Sequence, residues 1–340
     1  MLFNPSVRIM RKTIPRAVLS LLLVLYLAAC ATPYRYPPGK QSVAPALYPD
    51  HVIMDDGFRL PLSRWLPQDR QSCRGVLLAL HGLNDYRNAF SDVGPFLAGR
   101  GLTVYAYDQR GFGESEGVGY WHGWQRMVQD LQVMVGLLRA KYPGCPLYVL
   151  GESMGGGVVL AAHRVSPLEV EGEILVAPAV WSRDSMPVYQ RAALWFAVHT
   201  FPGKRLTGEG LALRPSDNTE MLRALWRDPN VIKATRVDVL YGVTNLMDVA
   251  ASAPVDHLDH SLLLYGEHDE IIPREPTCHF VDRLRESADS SSVRLYPDGW
   301  HMLTRDLKAQ RVLEDIADWL LSSGTLSSEP GFVEAFCRGS

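Results

Sequence analysis

Short apolar runs recur from residue 51 onward, and each stops at a polar, glycine or proline position. Val76 to Leu80 enters His81-Gly82, Leu102 to Tyr107 ends at Asp108, and Leu147 to Leu150 enters Gly151. Ile174 to Ala177 ends at Pro178, Leu262 to Tyr265 at Gly266, and Val293 to Tyr296 at Pro297. Runs this short, apolar at successive positions, suit strands buried on both faces of a parallel sheet. Between them the period lengthens. Met127, Leu131, Met134 and Leu138, flanked by Val128 and Val135, make one helical face over Gln125 to Lys141, stopped by Pro143-Gly144. A helix is also predicted from Met154 to Val165, and Leu307 to Leu321 gives a closing one. Strands alternating with helices predict an α/β fold with a mostly parallel twisted sheet flanked by helices. Ahead of it, His51 to Met54 and Arg59 to Leu66 predict a hairpin around Asp55-Asp56-Gly57.

The alternation breaks between Val180 and Pro254, where aromatic, irregular helical sequence carries no clear strand. Trp181, Tyr189, Trp195, Phe196, Phe201 and Trp226 lie there. A structureless loop of that length is improbable in a compact domain, so this stretch is expected to form a helical cap inserted over the sheet.

The glycines and charged residues at the run ends add chemistry. Gly151-Glu152-Ser153-Met154-Gly155 sits between a strand and a helix, the setting in which a Gly-x-Ser-x-Gly turn exposes a nucleophilic serine. A serine hydroxyl needs a base, which folds of this kind supply in the chain order Ser, acid, His. Asp269 lies just past the strand at Leu262, and His301 just past the last strand. The rival carboxylates are Glu267, Glu270 and Asp298, and the rival bases His257, His260, His268 and His279. Acyl transfer also requires oxyanion donors. The backbone N–H groups of Met154 and of Leu83, in the loop His81-Gly82-Leu83-Asn84-Asp85, are the candidates. No cofactor is called for: there is no metal-spaced His/Cys cluster and no phosphate loop with its lysine.

These residues give the chain a marked resemblance to the monoacylglycerol lipase and lysophospholipase group of α/β-hydrolases. The matching pieces are His81-Gly82, Tyr107 to Ser115 (YDQRGFGES), Gly151 to Gly156, Ala177-Pro178-Ala179, Gly266 to Asp269, and His301. The resemblance covers roughly residues 50 to 322. It implies the α/β-hydrolase fold, a Ser153–His301–Asp269 triad and an ester substrate, a monoacyl lipid before a small soluble ester or a peptide. A peracid-forming enzyme, and a non-catalytic binding lipoprotein on the same scaffold, are the more distant alternatives. Two departures stand out. The family's His-Gly-x-Gly loop, with a further His soon after, reads His-Gly-Leu-Asn-Asp-Tyr here, and its Arg-Gly-His-Gly reads Arg-Gly-Phe-Gly.

Charge excludes one partner class and the N-terminus suggests another. The first 29 residues hold four of the 34 basic residues and none of the 37 acidic ones, so the remainder carries a formal charge of −7. With no basic stripe, no nucleic-acid partner is expected. Basic residues Arg8, Arg11, Lys12 and Arg16 lead into Ala17 to Leu27, an apolar run shorter than a membrane span. Leu27-Ala28-Ala29-Cys30 follows, and the whole resembles a bacterial lipoprotein signal. That resemblance implies residues 1–29 as a signal peptide, a lipidated Cys30, and 30–50 as a Pro/Tyr-rich tether. The hydrolase domain would run over 51–322, with its cap at about 180–254 and a tail at 323–340. Ala31 after the cysteine favours the outer membrane, facing the periplasm, in an organism with two membranes. Export would place Cys73, Cys145, Cys278 and Cys337 in a disulfide-permissive space. The family's sheet order makes the strands after Cys73 and Cys145 neighbours, so that pairing is expected, with Cys278–Cys337 tying down the tail.

Overall fold

A computed structural model describes residue 15 and residues 31–69, 73–210, 212–287, 291–322 and 330–338; the expected lipidation site Cys30 lies outside them. The chain opens with β1 (Ala46–Leu47), β2 (His51–Ile53), β3 (Arg59–Trp65) and β4 (Val76–Leu80). Then come α1 (Val93–Ala98), β5 (Thr103–Tyr107), α2 (Trp124–Lys141), β6 (Leu147–Glu152), α3 (Met154–Ala162) and β7 (Gly172–Val176). The insertion follows with α4 (Val188–Thr200), β8 (Arg205–Thr207), α5 (Thr219–Arg227) and β9 (Ala234–Arg236). After it come α6 (Val237–Ala251), β10 (Ser261–Gly266), α7 (Arg274–Ser287), β11 (Ser292–Tyr296), α8 (Ala309–Leu321) and α9 (Pro330–Arg338).

Nine strands form one sheet in the order β1-β2-β3-β5-β4-β6-β7-β10-β11. The strands from β5 to β11 in that order pair in parallel, while β1, β2 and β3 join antiparallel at one edge. The apolar runs of the central strands are continuous because successive side chains enter different cores. In β4, Val76, Leu78 and Leu80 join the core beneath α2, α3, α6 and α7. Leu77 and Ala79 join the one beneath α1 and α8, which Trp319 fills. The α/β-hydrolase architecture read from the alternation is thus present, and the predicted hairpin is β2–β3.

Three segments differ from their sequence reading. The insertion contains a strand pair as well as helices, since β8 and β9 form an antiparallel ribbon. Each strand is three residues long, too short to display a period of two. Residues 237–251, expected to belong to the cap, form α6, whose Val239, Val243, Leu246 and Ala250 are buried in the main core. Residues 31–50, expected as a tether, lie along the domain. Tyr36 N–H donates to the Trp121 carbonyl at 2.8 Å, Gln41 N–H to that of Asp56 at 3.3 Å, and β1 pairs with β2. Proline conceals such a strand from pattern reading, yet the remaining N–H groups still find acceptors.

Both expected disulfides are present. Cys73–Cys145 joins the segments entering β4 and β6, and Cys278–Cys337 ties α9 to α7, with Cα separations of 5.8 and 5.5 Å. The Tyr107 to Ser115 stretch proves structural at its centre. The buried guanidinium of Arg110 donates to Asp130 on α2 at 2.6 and 2.9 Å and to both oxygens of Asp56 at 2.8 Å. It also lies 4.1 Å from the Phe58 ring centroid. Arg110→Met should therefore lower unfolding free energy by about 3 kcal/mol, the lower end for a broken buried pair because Arg126 still reaches Asp130. Urea denaturation measures this, and a loss below about 1 kcal/mol would show the network to be replaceable.

Candidate active site

The glycines around Ser153 are dictated by contact. A Cβ on Gly151 would stand 2.5 Å from the Gly156 nitrogen, and one on Gly155 would stand 2.2 Å from the Leu80 carbonyl oxygen. Strand β6 can turn into α3 this sharply only if both residues lack side chains. Ser153 itself takes φ 52° and ψ −113°, a left-handed conformation that side chains disfavour. The surroundings hold it there: Ser153 N–H donates to the Val176 carbonyl at 2.9 Å, and its own carbonyl accepts from Ala179 and Gly157 at 3.0 Å.

The structure joins Ser153, His301 and Asp269 in one hydrogen-bonded chain. Ser153 Oγ lies 2.9 Å from His301 Nε2, and His301 Nδ1 lies 2.8 Å from Asp269 Oδ2. The other Asp269 oxygen accepts from the N–H groups of Ile271 and Ile272 at 2.8 and 2.9 Å. All three residues sit at C-terminal strand ends, of β6, β10 and β11, where sites collect in open α/β sheets. Burial works against a charged His301, but Asp269 by charge and hydrogen bond, and Glu152 by charge, outweigh it and raise the pKa above its ordinary value of 6.5. Among the described residues none of the rival histidines or carboxylates hydrogen-bonds Ser153 or His301, although Glu270 borders the same cavity. His257, His260, His268 and His279 are exposed, Asp298 pairs with Lys308, and Glu270 accepts from the Arg214 N–H.

The two candidate oxyanion donors border the same space. Gly82 packs so closely that a Cβ there would approach Ser153 Cβ to 3.3 Å. Met154 opens α3, so its N–H has no acceptor within the helix. Leu83, Ser153 and Met154 line a cavity of about 750 Å³ beneath the cap. Its walls are mostly apolar: Trp181, Met186 and Leu194 from the cap, Leu240, Val243 and Met247 from α6, and Ile271 and Ile272 beside Asp269. Of the cap aromatics, Trp181 faces this space, whereas Tyr189, Trp195, Phe201 and Trp226 are exposed outside.

Sequence reading missed the charge cluster beneath the site. Arg305, buried, donates to Asp85 at 2.8 Å and to Glu152 at 2.9 Å, and Thr304 Oγ1 donates to Glu152 at 3.1 Å. Burial opposes the guanidinium charge, and the two carboxylates more than offset it, raising its pKa. One side chain thus links the loop after β4, the residue before Ser153 and the segment after His301. The only hint in the sequence is charge beside each motif, which is also the pattern of a solvated loop.

Fold and site together define an α/β-hydrolase. The chain belongs to the Hydrolase_4 family, described as serine aminopeptidase, S33, whose model matches residues 71–308. It is 28% identical over 281 residues to the monoacylglycerol lipase of Mycolicibacterium smegmatis, covering 78% of this chain and 94% of that protein. It is 30% identical over 326 residues to the monoglyceride lipase of Saccharomyces cerevisiae, covering 87% and 99%. Among solved structures, Paleococcus ferrophilus monoacylglycerol lipase superposes with a TM-score of 0.65 at 22% identity, over 78% of this chain and 99% of that one.

Proposed function

We propose that the chain hydrolyses carboxylic esters through an acyl-enzyme on Ser153, with monoacyl lipids such as a monoacylglycerol or lysophospholipid as substrates. The chain is a hydrolase of the lipase type, and the observation that carries the finer reading is the apolar cavity with Ser153 on its floor. A space of this size and lining suits an acyl chain. Helix α4 contributes Gln190 and Leu194 to the cavity while its outer side exposes Val188, Tyr189, Trp195 and Phe196. Such a surface suits a substrate met at a lipid boundary.

In this mechanism Asp269 accepts the Nδ1–H of His301, leaving Nε2 free to take the Ser153 proton. Ser153 Oγ attacks the ester carbonyl, and the resulting oxyanion is held by the N–H groups of Leu83 and Met154. His301 returns the proton to the leaving alcohol, then activates the water that releases the acid. The test is kcat/KM on p-nitrophenyl esters from acetyl to palmitoyl, beside aminoacyl amides. Each buried CH₂ should raise it by up to about fourfold, from ~0.8 kcal/mol, until the cavity is full. A steady fall from acetyl onward would exclude the lipid reading. Faster turnover of aminoacyl amides than of any ester would move the chain to the peptidase branch.

The proposal extends to location. A lipidated Cys30 would anchor the domain to the outer membrane facing the periplasm; among the described residues no helix is long and apolar enough to cross a membrane. Cys30→Ser should abolish partition into detergent, and a wild-type N-terminal peptide without lipid mass would refute the anchor.

A further inference from the structure

Residues on both sides of Leu83 are held, and they are held by different parts of the molecule. In a trans peptide the C=O and N–H lie in one rigid plane and point in opposite directions. The Gly82 carbonyl accepts from His81 Nδ1–H at 2.8 Å, while Nε2 of that imidazole accepts from the Gln109 N–H at 2.9 Å. Clamping the carbonyl turns the Leu83 N–H the other way. The next residue, Asn84, has φ 66°, a region that asparagine tolerates better than most residues with side chains. Its carbonyl accepts from Ile232 N–H at 2.9 Å, and its Nδ2 donates to Thr235 Oγ1 at 2.7 Å. Thr235 lies in β9 and Ile232 just before it, so both contacts reach the cap. Tyr86 adds a third, donating to Asp228 at 2.7 Å.

We propose that Asn84 is a positioning residue, through which the cap ribbon holds the loop after β4 in the turn that presents the Leu83 N–H to the developing oxyanion. This rests on the ester-hydrolase reading above. Glycine at this position would supply the left-handed backbone and the carbonyl contact with Ile232 but not the side-chain bond to Thr235; asparagine supplies all three. A cap seated on the cavity and a correctly aimed oxyanion donor then become one structural state, so the site is complete only when the cap is in place.

The test uses two variants that remove the Asn84–Thr235 side-chain bond from opposite ends and leave the Asn84 carbonyl on Ile232. Asn84→Gly keeps the turn and loses Nδ2. Thr235→Val keeps the shape of β9 and loses the acceptor. On a short soluble ester, kcat should fall about tenfold in each, less than the hundredfold or more for deleting a donor outright, with KM within about twofold. Affinity for a boronic-acid transition-state analogue should fall by the same factor as kcat. The double variant should fall no further than either single, because the two side chains form one contact. Unchanged kcat in both variants, a rise in KM alone, or additive losses would overturn the proposal. Fluorophosphonate labelling of the wild-type protein separates the two readings. An unlabelled, inactive wild type would overturn both, whereas a labelled, active wild type with unaltered variants would overturn the cap link alone.

Discussion

Ser153→Ala should abolish ester hydrolysis while leaving the fold intact. Alanine keeps the Cβ of serine, so whatever strain the left-handed turn at φ 52° stores is unchanged, and the flanking glycines still make room for it. Only Oγ is lost, together with its 2.9 Å hydrogen bond to His301. Loss of the nucleophile in a triad that acts as a unit costs on the order of 10⁶ in kcat, with the oxyanion donors and the cavity sustaining the residue. The variant should show an unaltered thermal melt, no fluorophosphonate adduct and only background turnover. Retention of more than about a tenth of wild-type activity would mean that Ser153 is a structural turn and the chemistry lies elsewhere.

Asp269→Asn should be nearly as damaging, for a reason visible in its hydrogen bonds. One Asp269 oxygen accepts two backbone N–H groups and the other accepts from His301. In an asparagine the carbonyl oxygen must take the place facing the two N–H donors, which turns the NH₂ toward His301 Nδ1. The imidazole then has to accept at Nδ1 and carry its proton on Nε2, the wrong tautomer for a base. A fall in kcat on the order of 10⁴ is expected. The pH profile supplies a second readout. Protonated His301 cannot act as base, and Asp269 favours that form, so the acid limb of wild-type kcat/KM should lie above pH 6.5. Removing the carboxylate charge should move the residual limb to lower pH. An unmoved limb would show that a different carboxylate faces the base.

Where local chemistry determines structure, the sequence is legible. Each face of β4 and β10 is buried, so their runs are apolar at every position, and α2 shows its buried stripe at helical spacing. Gly151 and Gly155 announce the turn at Ser153 because no other residue fits there. Asp269 and His301 are found by their places at strand ends, which chain order fixes before any distance is known. The pairing of Cys73 with Cys145 follows from strand adjacency carried by the family resemblance.

The rest depends on contacts between residues far apart in the chain that leave no local signature. Arg305 meets Asp85 across 220 positions and Glu152 across 153, and nothing near any of them distinguishes a buried ion cluster from surface charge. Asn84 meets Thr235 across 151 positions, so its departure from glycine reads only as a change in a loop until β9 is in place. Residues 237–251 have the same apolar helical character whether they belong to the cap or to the core layer; packing against α3 decides for the core layer, with one side left bordering the cavity. The core strands of the parallel sheet and the strained serine turn are written in the period or steric demand of a few neighbouring residues, and the candidate acid and base in their places after the strands. Only folding joins the cap ribbon to the loop after β4, and that loop to the segment after His301, because those bonds form after long chain segments have closed upon one another.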